Sequence, residues 1–108
     1  QEYPNGYNAM YELIITTSFS SWLDELSDER AQVKIALRLD YITLGNLGDW
    51  KPVGDGVFEI RVHYGPGYRL YFMRKDRIVI ILLAGGDKSS QARDIAAAKQ
   101  IKRDIEQS

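Results

Sequence analysis

Two arginines in this chain have the type and spacing to do chemistry. Arg61 and Arg69 lie in successive runs of alternating apolar and polar residues, joined by Gly65-Pro66-Gly67. If those runs are paired strands, both guanidinium groups point to one side of a hairpin, with His63 beside them. The planar guanidinium fork matches phosphate oxygens in a bidentate way, so the pair reads as a preorganised phosphate site. Like charges on facing strands cost stability, which a purely structural hairpin has little reason to accept. The plain alternative is a surface ion network in which Glu59 or Asp87 neutralises the arginines. Lys88, just after Gly85-Gly86, adds a cation at the margin of the arginine face. A glycine-rich stretch ahead of a helix, here residues 85–90, can present backbone N–H groups to an anion. It lacks the spacing of a nucleotide-binding P-loop, which argues against ATP or GTP. Tyr68 and Tyr71 suit either stacking on a base or packing within the sheet.

The charge distribution fits an anion-facing patch. The chain of 108 residues has 14 Lys and Arg against 15 Asp and Glu, a net −1 that argues against a general nucleic-acid binder. Residues 50–88 nonetheless hold seven basic side chains (Lys51, Arg61, Arg69, Arg74, Lys75, Arg77, Lys88) against four acidic ones (Asp55, Glu59, Asp76, Asp87). That local excess of positive charge sits on an otherwise acidic body. Cysteine is absent and histidine occurs once, which removes thiolate chemistry and argues against a zinc site. No metal or cofactor is expected. The longest apolar run, residues 78–84, has the length of a buried strand and falls short of the roughly 18 residues that cross a bilayer. With no secretory pattern at the start, a cytoplasmic setting without membrane partners is expected. Residues 1–9 carry turn formers without periodicity and read as a flexible extension ahead of one domain over residues 10–108.

The elements that must position these groups follow from periodicity. Residues 11–16 form a short β-branched run, a strand. Thr17 or Ser18 can cap the helix that follows, whose stripe is Phe19, Trp22, Leu23 and Leu26. Ser27-Asp28 opens a second helix reaching about Leu44, with Gly45 as its stop. Its apolar residues cover more than one face, which predicts burial on two sides. Residues 45–56, rich in glycine and holding Pro52, read as a loop. Strands are expected over residues 57–64, 68–74 and 77–84, the last covered on both faces because it does not alternate. A final helix runs from about Ser90 to Glu106. The order β-α-α-β-β-β-α is an α+β plan, an N-terminal strand and helical hairpin packed on a mainly antiparallel sheet with a C-terminal helix. With Gly65-Pro66-Gly67 as the loop, Val62 faces Leu70 and Ile60 faces Phe72 on the apolar side. His63 then faces Arg69, Arg61 faces Tyr71 and Glu59 faces Met73 on the other.

The runs Gly45-Asn-Leu-Gly-Asp-Trp-Lys-Pro-Val-Gly54, Val57-Phe-Glu-Ile-Arg61, Tyr64-Gly-Pro-Gly-Tyr-Arg69 and Gly85-Gly-Asp-Lys-Ser-Ser-Gln91 together resemble the RelE/ParE superfamily. The nearest branch is that of the HigB-like addiction module killer proteins, and the resemblance spans residues 10–105. It implies the RelE/ParE-like fold and a toxin of a type II toxin–antitoxin module, held by a cognate antitoxin of helix-turn-helix type. Operator DNA would be met only through that complex. Many such toxins cleave messenger RNA on the ribosome without a metal, whereas the ParE branch poisons DNA gyrase; a third reading is a non-toxic, antitoxin-binding relative. The family's Glu-x-Arg strand matches Glu59 and Arg61, its Gly-Tyr-Arg start matches Gly67, Tyr68 and Arg69, and its basic residue after the last strand matches Lys88. The resemblance thus implies Arg61, Arg69 and Lys88 as catalytic residues, with Lys51, His63, Tyr68 and Gln91 binding substrate. Cleavage by a 2′-OH needs a base; Lys88, Lys51 and His63 are the candidates, because a lysine beside arginines has its charged form disfavoured. The chain lacks the dense lysine cluster of the best-known nucleases and has Ser90 and Gln91 where some relatives carry an aromatic or histidine.

Overall fold

The computed structural model describes residues 10–108, so the extension expected over residues 1–9 lies outside the described residues. The elements are β1 (Glu12–Ile15), α1 (Thr17–Asp24), α2 (Glu29–Thr43), β2 (Asp49–Gly54), β3 (Val57–Val62), β4 (Tyr68–Arg74), β5 (Val79–Asp87), a 3-10 turn (Lys88–Ser90) and α3 (Gln91–Gln107). The five strands form one sheet in the order β1-β5-β4-β3-β2, in which only β1 runs parallel to its neighbour. Phe19 of α1 and Ala31, Ile35 and Ile42 of α2 bury one sheet face with Ile60, Leu70, Phe72, Ile80 and Leu82. The other face, with Val57, Tyr71, Met73, Ile81 and Leu83, is covered by Ile95, Ala98, Ile101 and Ile105 of α3. None of the helices among the described residues is long and apolar enough to cross a membrane.

The cap of α1 is Thr16, one residue before the expected pair. Its hydroxyl accepts from Phe19 N at 3.2 Å and donates to the Leu82 carbonyl at 2.8 Å, fastening the helix start to β5. Asp28 caps α2 as expected, accepting from the N–H groups of Arg30 and Ala31. Gly45 ends that helix with φ 94°, a conformation few other residues adopt cheaply. Contrary to expectation α2 buries one face only. Val33, Leu37 and Leu44 remain 60%, 50% and 57% exposed, because the sheet lies on one side of the helix and nothing among the described residues covers the other.

The expected loop over residues 45–56 contains strand β2. Pro52 is tolerated there because β2 is an edge strand, and the pairing slips between Pro52 and Gly54 at a bulge. Strand β5 runs three residues beyond its expected end, through Gly85 and Gly86 to Asp87. A bulge between β4 and β5 at Leu83 puts Gly85 on the α1 side and Gly86 on the α3 side. A Cβ on Gly85 would run into the Trp22 ring, and one on Gly86 into the Asp94 carboxylate. The glycines therefore let a helix press on each face of one strand. Gly85→Ala is expected to cost about 2 kcal/mol by overpacking against the rigid indole. Gly86→Ala, which meets the movable side-chain ends of Asp94 and Ser90, should cost less, and urea unfolding of the two variants checks the order.

Candidate functional site

The β3–β4 ladder sets the site. Its pairs are Phe58 with Phe72, Glu59 with Tyr71, Ile60 with Leu70, Arg61 with Arg69, and Val62 with Tyr68. The expected register is thus displaced by two residues, because the turn consumes residues 63–67: Tyr64 N bonds the Val62 carbonyl and Gly67 N the Tyr64 carbonyl. A displacement of two preserves the faces. Ile60, Val62 and Leu70 stay on the α1/α2 side, and Glu59, Arg61, Arg69 and Tyr71 share the α3 side. Arg61 faces Arg69 directly instead of Tyr71, Glu59 faces Tyr71 instead of Met73, and His63 leaves the ladder.

Two facing arginines are held together by one carboxylate. Glu59 is fully buried. Its Oε1 accepts from Arg69 Nη1 at 3.0 Å and from Arg61 Nε at 3.3 Å. Its Oε2 accepts from Gln91 Nε2 at 2.8 Å and from the Tyr71 hydroxyl at 3.1 Å. Burial pushes the Glu59 pKa upward, but the bonds from Gln91, Arg61 and Tyr71 and the Arg69 charge outweigh it, leaving the carboxyl below the ordinary glutamate value. Tyr71 shifts the other way: burial first, then the Glu59 charge, raise its pKa above the usual phenol value. The ion network offered above as the plain alternative is therefore present, with Glu59 at its centre. It does not exhaust the donors of the cations, since two guanidinium groups share one hydrogen-bonded carboxylate. Arg69 Nε has no acceptor among the described residues.

The arginines line an open cleft of about 630 Å³ together with Lys88, His63 and the turn 64–67. Arg69 is 11% exposed and Arg61 34%, so both are fixed at the base while Lys88 is free at the rim. Asp87 holds the 3-10 turn that carries Lys88, accepting from Ser89 N at 2.8 Å. The Ser89 hydroxyl first, and backbone N–H groups with it, keep the Asp87 carboxyl below its ordinary pKa. His63 Nε2 lies 2.7 Å from Asp49 Oδ2 in an exposed pair, and that bond is the leading cause of the lowered Asp49 pKa. A carboxylate only accepts, so Nε2 carries the proton and, in the neutral ring, Nδ1 keeps its lone pair.

Four of the seven residues singled out from sequence, Arg61, Arg69, Lys88 and His63, line this cleft. Tyr68 does not: its ring turns to the opposite face, 6% exposed and edge-on to Trp22 at 6.2 Å, because its strand position has the parity of Leu70. Gln91 lies behind the floor as a donor to Glu59. Lys51, on exposed β2, pairs across the ladder with Glu59 outside the cleft wall. Sequence reasoning missed Tyr64 as a wall and Asp49 as the partner of His63. Tyr64 depends on the length of the 63–67 turn and Asp49 on β2, which glycine and proline concealed.

Three comparisons bear on this geometry. Residues 21–106 match the family described as Phage derived protein Gp49-like (DUF891). An uncharacterized protein of Haemophilus influenzae is 44% identical over 90 residues, covering 83% of this chain and 91% of that one. Among solved structures, the toxin RelE of Escherichia coli, a doubly substituted form in the free state, matches with a TM-score of 0.66 at 18% identity, over 87% of this chain and 97% of that one. The toxin–antitoxin complex RelBE2 of Mycobacterium tuberculosis matches with a TM-score of 0.60 at 21% identity, over 73% and 99%. The architecture is RelE/ParE-like.

Proposed function

This chain belongs to the phage-derived Gp49-like family and has a RelE/ParE-like fold, and from that premise we propose that it is the toxin of a type II toxin–antitoxin module, a ribosome-dependent messenger RNA endonuclease. The observation that carries the reading is the pair of facing guanidinium groups, pinned by one buried carboxylate at the floor of an open cleft. A protein has little use for such a pair except to hold an anion. The sequence motifs around Glu59, Arg61 and Tyr68-Arg69 favour the HigB-like branch, a cytoplasmic setting and a small helix-turn-helix antitoxin, through which operator DNA would be met.

In the proposed reaction a ribose 2′-oxygen attacks the adjacent phosphorus. His63 Nδ1 takes the 2′-OH proton, its ring oriented by Asp49. Arg61 and Arg69 hold the nonbridging oxygens and stabilise the charge of the five-coordinate phosphorus. As the bond to the 5′-oxygen breaks, the Lys88 ammonium gives that oxygen its proton. The products are a 2′,3′-cyclic phosphate and a 5′-hydroxyl. His63→Ala should lower the cleavage rate by about a hundredfold, with Asp49→Asn weaker in the same direction. Single-turnover cleavage on programmed ribosomes measures both.

A gyrase inhibitor would need an apolar face to present to its partner; on α1, Phe19 is fully buried and Trp22 is pressed on Gly85, which leaves that helix little of one. Mapping of RNA ends after controlled induction tests the proposal. Cuts within translated codons are expected; inhibited supercoiling with intact messages would refute it in favour of gyrase, and growth without arrest in favour of a non-toxic relative.

A further inference from the structure

A second basic surface lies on α2. Arg30, Lys34 and Arg38 recur at i, i+4 and i+8 and so form one ridge along the helix. Like charges at that spacing cost helix stability. Among the described residues none of the three has a carboxylate within ion-pair distance. Lys34 and Arg38 line a groove of about 320 Å³ together with Tyr41, His63 and Tyr64. The Lys34 ammonium sits 5.1 Å from the centre of the Tyr64 ring, and Tyr41 is 49% exposed.

His63 and Tyr64 also line the arginine cleft, so the groove and the cleft meet at these two residues and are taken together as one trough. Lys88, Arg69 and Arg61 line its cleft part, Lys34, Arg38 and Tyr41 its groove part, and Tyr64 lines both. Three carboxylates near this path are already committed: Glu59 to its four donors, Asp49 to His63, and Asp87 to Ser89. Cations that track a backbone, alternating with rings that accept any base, are how sequence-tolerant sites hold single strands.

We propose that the trough is a track for single-stranded RNA, in which Lys34 and Arg38 hold phosphates beyond the scissile one and Tyr64 and Tyr41 face the bases. The inference rests on the RNA reading of the arginine cleft and extends it to α2. An RNA longer than the cleft should therefore gain affinity that a dinucleotide does not.

The test measures fluorescence anisotropy at low salt with a labelled dinucleotide and a labelled eight-nucleotide RNA of mixed sequence. The unaltered protein should bind the longer RNA at least about tenfold more tightly. The variant Lys34→Ala/Arg38→Ala should lose about tenfold on the longer RNA and stay within twofold on the dinucleotide, and its salt slope should fall by about 1.4, that is, two single-strand phosphate contacts. Both positions are away from the core, and Lys34→Arg/Arg38→Lys should restore binding. Arg61→Ala/Arg69→Ala should weaken both lengths. Unchanged binding of the longer RNA by the α2 variant overturns the track while leaving the cleft reading standing, and would point the ridge to an acidic protein partner instead. Failure of the unaltered protein to bind either RNA overturns the track, while the ribosome-dependent reading of the cleft stands or falls on the cleavage assay.

Discussion

Replacing Arg61 and Arg69 together by alanine should lower cleavage of ribosome-bound message by at least about a thousandfold and abolish growth arrest. Removing one donor from a preorganised oxyanion site typically costs about 10²–10³ in rate. Because the two arginines would hold one phosphate and already share Glu59, their losses should not add: the double variant should be only modestly worse than the poorer single one. Lysine at either position keeps the charge but loses the planar fork, so Arg61→Lys should recover a small fraction of the rate. Stability must be separated from chemistry. Arg69 is nearly enclosed and its loss removes a partner from a buried carboxylate, whereas Arg61 is one-third exposed. Arg61→Ala is thus the cleaner variant, expected to keep its melting temperature within a few degrees while losing activity. Persistent arrest and cleavage in a folded double variant would sink the endonuclease reading.

Much of this site was legible from residue parity. Alternation along residues 57–62 and 68–74 is enough to place Arg61 and Arg69 on one face, and that survives a register displaced by two. The register itself was not legible, because the Tyr64–Gly67 turn takes more chain than the glycines alone suggest. Gly85-Gly86 reads locally as a strand end; only the Trp22 ring and the Asp94 carboxylate, brought by two different helices, explain why glycines belong inside the strand. Glu59 is the same lesson at the site. Its donors come from two residues along its strand, from the facing strand, and from Gln91 at a helix start 32 residues away, and no local pattern announces that convergence. The open face of α2 defeated pattern reading for the opposite reason, since apolar residues at helical spacing look the same whether or not anything covers them.

Glu59 is where stability and the site meet, so Glu59→Gln should have the largest effect on folding. The neutral amide keeps the shape but removes the charge between two arginines, and places an NH₂ among groups that all donate to Glu59 in the unaltered protein. Breaking a buried ion pair by removing one partner costs about 3–5 kcal/mol, which urea unfolding at pH 7 would read. The pH dependence follows from the direction of each shift. The Glu59 carboxyl titrates below its unfolded value of about 4.3, so its contribution is complete above that pH and is lost as pH falls through the lower folded value. Tyr71 titrates above its unfolded value of about 10; its contribution is complete below pH 10 and is lost as pH rises beyond it. The unaltered protein should therefore show a stability plateau between about pH 5 and pH 9, with both limbs falling. Glu59→Gln should flatten the acid limb and weaken the alkaline one, because the Glu59 charge helps to hold the Tyr71 proton. Tyr71→Phe should remove the alkaline limb but leave most of the acid one, since Gln91 and both arginines still bond the carboxylate. If Glu59→Gln matches the unaltered protein in stability at pH 7 and in its slope below pH 5, the carboxylate does not hold the arginines in place. The preorganised floor of the cleft would then have to be abandoned.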